Sequence, residues 1–174
     1  MSMMKQRILR ISFVGILAFG LLLGGQILYR TNWVNGQLAQ NSRQISGVIS
    51  AQITAENGQK VLEVTTNHVQ NLEKVGQQLE TLAGENPIRL KDQRTPELER
   101  LMAKMEFPLQ EGITQGNFTQ MEETLQQQAT QARVDLELSM NSEGIYVNLT
   151  QGQAQLLEVI ERPGQGKFLP SRSQ

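Results

Sequence analysis

A chain of 174 residues has room for one domain and a short additional segment. It contains no cysteine, which excludes disulfides, thiolate nucleophiles, acylation at cysteine and cysteine-based metal sites. The balance of 16 basic and 17 acidic residues hides an asymmetry, because every acid lies beyond residue 31. The portion after residue 30 carries twelve basic against seventeen acidic groups, a net of −5, which suits nucleic-acid phosphates poorly.

Residues 1–10 hold Lys5, Arg7 and Arg10 and no acid. Residues 11–29 follow without a charge, ISFVGILAFGLLLGGQILY. At about 1.5 Å per residue this run reaches roughly 28 Å, close to the hydrocarbon thickness of a bilayer. The spacing therefore predicts a transmembrane helix that takes membrane lipid as its partner. The basic residues ahead of it place residues 1–10 in the cytoplasm, and Tyr29 and Trp33 fit an aromatic belt at the outer interface. A cleaved signal peptide would need a small-x-small cleavage site after the run, and Gly24-Gly25-Gln26 is a poor one. Gly20 and Gly24 form a G-x-x-x-G pair that lets two helix backbones approach in lipid, an expected route to a homodimer. Residues 30–43 read as a juxtamembrane stalk.

Residues 44–162 carry the pattern of an extracytoplasmic α+β domain. Ile45, Ile49, Ala51 and Ile53 on alternate positions predict a half-buried strand. Asn57-Gly58 then predicts a two-residue hairpin, with Ile53 opposite Leu62 and Ala51 opposite Val64. Asn67 is the expected cap of a helix carrying Val69, Leu72, Val75, Leu79 and Leu82, closed by Gly84. After Pro87 a short strand points Ile88 and Leu90 inward and Arg89 and Lys91 outward. Thr95-Pro96-Glu97 opens the next helix, with Leu98, Leu101, Met102 and Met105 inside and a break or kink expected near Glu106 and Phe107 because of Pro108. Gly116-Asn117 separates a third helix with Phe118, Met121, Leu125 and Ala129. Val134, Leu136, Leu138 and Met140 alternate in a strand; Ile145, Val147 and Leu149 follow in a second, and Leu156 to Ile160 in a third. Residues 163–174 are rich in Gly, Pro and Ser and read as a disordered tail. The expected fold is thus a transmembrane helix followed by a two-layer α+β domain. Its elements run ββαβααβββ in a mostly antiparallel sheet, with helices on one face.

No catalytic, cofactor-binding or metal constellation emerges, and no cofactor is implied. His68 is the single histidine, and no carboxylate stands three or four residues away to orient it. Neither a His/Cys metal pattern nor a phosphate loop occurs. Glu97 and Glu99, like Glu122 and Glu123, read as acids of a helix's first turn. Glu106 and Glu111 flank the proline and are the acids beside an irregular segment. The N-x-T triplets at Asn117 and Asn148 arise at chance frequency and carry no weight.

An anchor, a folded domain and no visible chemistry together suggest a non-enzymatic scaffold, assembly or adaptor subunit of a bacterial envelope complex, binding another protein. The last strand, through Leu156, Leu157, Val159 and Ile160, is the expected contact because apolar residues occupy both of its faces. The alternative is a small-ligand or signal-sensing domain with its ligand near Phe107-Pro108. A carboxylate-based hydrolase is the third reading.

Overall fold

The computed structural model describes residues 38, 40–162 and 166–174. The chain divides after Gln37, and the unit from Leu38 to Gln174 is the one described below. The expected span at 11–29, with Gly20 and Gly24, lies outside the described residues. Among the described residues no helix is long and apolar enough to cross a membrane.

Strands β1 (Val48–Glu56) and β2 (Gln59–Thr66) form the expected hairpin. Asn57 and Gly58 both take positive φ, 50° and 80°, as a tight two-residue turn demands. Ile53 pairs with Leu62 and Ala51 with Val64, the expected register. The alternation fails only at the start of β1. A bulge between Val48 and Ser50 inserts an extra residue, so Val48 turns inward and Ile49, expected inside, is 48% exposed.

Helix α1 (Leu72–Ala83) begins later than expected. Its cap is Asn71, whose side chain accepts the Lys74 N–H at 2.8 Å, not Asn67. Strand β3 (Ile88–Asp92) returns parallel to β2, so β2-α1-β3 is a crossover unit. Ile88 and Leu90 face the core, but Arg89, expected outside, is also buried and pairs with Glu56. That pairing holds the Glu56 carboxyl below its ordinary range, chiefly through the hydrogen bond from Arg89.

Helix α2 (Pro96–Gln115) starts at the Thr95 cap and runs through Pro108 without a break. Pro108 withholds one helical N–H, yet Leu98, Leu101, Met105, Leu109 and Gly112 lie buried on both sides of it. A single continuous core thus holds both halves in line, overriding a local preference to stop. Helix α3 (Phe118–Ala132) buries Met121, Leu125 and Ala129 as expected. Glu122 and Glu123 fall beyond its first turn, which holds no acid.

Strands β4 (Asp135–Met140), β5 (Gly144–Gln151) and β6 (Ala154–Glu161) make an antiparallel sheet in that order. Residues 168–173, expected to be part of a disordered tail, instead form strand β7 (Phe168–Ser173) parallel to β3. Ile88 donates its N–H to Lys167 O at 2.6 Å, and Gln174 Nε2 donates to Thr66 O at 2.6 Å. Pro170 falls where the β3–β7 register slips, a place where a missing N–H is tolerated.

The fold is therefore α+β with two sheets, one of them mixed: β1-β2-β3-β7 and β4-β5-β6. The expected single two-layer arrangement gives way to a deeper stack. One core joins Ala51, Leu62, Val64, Ile88 and Leu90 of the first sheet with α1 and with Tyr146 and Leu157 of the second. A separate core joins α2 and α3 to Ile145, Val147, Leu149 and Leu156 on the opposite face. The central strand β5 of the three-stranded sheet is thus buried on both faces, which is why it is apolar or buried at nearly every position.

Candidate functional site

The segment between β2 and α1 passes over the second sheet, and its backbone needs partners because Val69 is buried. Gln155 supplies them from β6. Its Oε1 accepts the Val69 N–H at 2.9 Å and its Nε2 donates to Val69 O at 2.8 Å, so one side-chain amide does the work of a neighbouring strand. Asn148 on β5 donates to the same carbonyl at 2.9 Å and to Glu137 Oε2 at 2.9 Å, and accepts from Gln155 at 2.9 Å. Asn148 is 5% exposed and Gln155 3%. This amide network escapes sequence reading because each residue alone looks like ordinary strand surface. A usable signal exists in the β5–β6 turn, since the register sets Thr150 opposite Gln155 on the face that also carries Asn148.

Beside the network lies a cavity of about 330 Å³ whose wall includes His68, Asp135, Glu137, Asn148, Thr150 and Gln155. His68 is not at a helix start. It takes φ 51°, an unusual conformation for a side-chain-bearing residue, and its Nε2 lies 3.0 Å from Gln153 Oε1. A neutral ring with its proton on Nε2 donates to that oxygen and leaves Nδ1 as an acceptor. Asp135 and Glu137, two apart on β4, share the sheet face that holds Asn148 and Thr150. Asp135 stays exposed, as strand alternation reads it, whereas Glu137 is half-buried beside Asn148.

The expected contact strand is placed differently from the sequence reading. Leu156 and Leu157 are 1% and 0% exposed and belong to the two cores, while Val159 and Ile160 are partly buried against them. The edge of β6 is also engaged. Gln93 O accepts the Gln155 N–H at 3.0 Å, Asp92 accepts the Leu157 N–H at 2.8 Å, and Ser171 Oγ donates to Leu157 O at 2.7 Å. Apolar residues on both faces therefore mark a strand packed against a core on each side.

Near Pro108, Glu106 and Leu109 line a cavity of about 240 Å³ with Glu158 and Ile160. Burial raises the Glu158 carboxyl above its ordinary range; repulsion from Asp92 and Glu106 adds to this, and Arg94 opposes it. Glu111 is exposed and accepts from Gln115 at 3.1 Å. Phe107 points away from both cores and is 76% exposed. Asn148 is too deeply buried to carry a glycan. Among the described residues no three His, Asp or Glu side chains converge to hold a metal ion.

No family model matches the chain, and comparison with curated proteins and with solved structures finds no similar protein.

Proposed function

We propose that this chain is a membrane-anchored, extracytoplasmic protein-interaction domain, a non-enzymatic scaffold, assembly or adaptor subunit of a bacterial envelope complex. The uncharged run at 11–29 behind three basic residues supports the anchor and its direction. The observation that carries the binding role is Phe107, 76% exposed in the middle of the 20-residue helix α2. A large aromatic ring in water gains free energy when a partner covers it, and aromatic residues are enriched at interfaces. A photo-crosslinking residue at 107 in intact cells should yield one discrete heavier adduct, and the same residue at Glu122 on α3 should yield none. Equal adduct patterns at both positions, or no adduct at 107, would overturn the proposal.

A second reading, a small-ligand sensing domain, is favoured by the cavity beside His68. Its wall sets polar side chains beside Val69 and Leu136, and Asn148 and Gln155 are both hydrogen-bonded to Val69, the arrangement that suits recognition of a compact polar molecule.

A further inference from the structure

Resting on that second reading, we propose that the cavity beside His68 binds a compact organic cation bearing ammonium groups. The donors and acceptors of the wall set the class of ligand. The amide hydrogens of Asn148 are directed to Val69 O and Glu137, and those of Gln155 to Val69 O and Asn148. Thr150 Oγ1 donates to Asn148 Oδ1 at 3.3 Å. The donors of Asn148, Gln155 and Thr150 are therefore committed within the wall, and the exposed Gln70 amide, with a donor group and an acceptor, favours neither sign of charge.

What remains is acceptor-rich. The wall carries two carboxylates, Asp135 and Glu137, and neither Lys nor Arg lines it. Glu137 is oriented by Asn148 through one oxygen and keeps further lone pairs for a ligand. His68, with Nε2 turned to Gln153, retains Nδ1 as an acceptor in its neutral form. Such a wall favours a hydrogen-bond donor with positive charge.

Size selects among cations. His68, Asp135 and Glu137 do not form a metal-sized set among the described residues, so a bare ion cannot satisfy them together. A volume of about 330 Å³ admits a small organic molecule that spans the gaps. Neighbouring carboxylates two positions apart on one strand face stand about 6–7 Å from each other, the separation of the nitrogens in a four-carbon diamine.

The test is titration of the full-length chain in detergent with 1,4-diaminobutane, followed by calorimetry and by the His68 ring resonances. The uncharged isostere 1,4-butanediol and magnesium chloride serve as comparison ligands. The diamine should saturate one site and shift the His68 resonances, with neither comparison ligand doing so. The double variant D135N/E137Q, which keeps the acceptor for Asn148, should weaken the diamine at least tenfold. The double variant E122Q/E123Q on α3 should leave it unchanged. Equal binding of magnesium, or an unchanged affinity in D135N/E137Q, overturns the proposal. Binding of the diol as well as the diamine keeps the ligand site but removes the cationic class. Absence of any saturable binding removes the ligand reading itself, leaving the protein-interaction proposal standing.

Discussion

Three hydrogen bonds converge on the buried carboxylate of Asp92. Arg94 donates to it twice, at 2.7 and 2.8 Å, and Leu157 N–H donates at 2.8 Å. Asp92 is 0% exposed, so removing it leaves the Leu157 N–H unpaired in low dielectric and takes from Arg94 its two shortest bonds, leaving it only the longer contacts to Glu158 and Leu157 O. Asp92→Ala should destabilise the domain by about 3–5 kcal/mol, read as a lower urea midpoint at unchanged slope. Asp92→Asn, which keeps an acceptor for Leu157, should cost less. Glu158 belongs to the same cluster with the opposite sign. Burial raises its carboxyl above the ordinary range, so the folded state holds that proton more tightly than the unfolded chain. The resulting stabilisation is complete below the ordinary carboxylate value and is lost as pH rises through the raised one. Glu158→Gln should therefore raise Tm at pH 7 and leave it nearly unchanged at pH 4, compared by calorimetry at both values. A larger gain at pH 4 would contradict the burial argument.

At the scale of elements, the α2–α3 crossing is set by a glycine. A Cβ on Gly112 would stand 2.6 Å from the Met121 Cβ, so the helices approach as closely as they do because position 112 has no side chain. Gly112→Ala should force them apart and lose about 1–3 kcal/mol, despite alanine's better helix propensity. A gain in Tm would show that the crossing has slack. Elements whose signal is purely local were legible in the sequence: the Asn57-Gly58 hairpin with its register, the Thr95-Pro96 helix start, and the apolar stripe of α3. Where neighbours compete with a local signal, the neighbours win. Pro108 fails to end α2 because the buried stripe is continuous through it. Asn67 fails to cap α1 because the following segment is tied to Gln155 and Asn148.

For the whole molecule, the test of the architecture lies at its end. β7 completes the first sheet, and Phe168 packs against the first core. Removing residues 163–174 should open the edge of β3, release the Ser171 bond to Leu157 O, and cost about 3–5 kcal/mol from one aromatic burial and several edge hydrogen bonds. Thermal melting reads this directly, and aggregation through the opened edge should accompany it. An unchanged Tm would mean that the segment contributes nothing to the fold. The same stacking explains why β6 carries apolar residues on both faces. Period-two patterning shows which side chains share a face, but not whether a second layer covers that face.

The class of the domain, most of its helices and strands and its first hairpin follow from local chemistry: alternation, helical spacing, caps and a turn that only certain residues can make. The division into two sheets, the burial of β6, the order of β7 and the amide network that ties Glu137 and Val69 to Asn148 follow from contacts between residues distant in the chain. Gln155 meets Val69 and Asp92 meets Leu157 across 86 and 65 positions. No periodicity spans such distances. Only the packed chain decides which polar residues meet water and which meet one another.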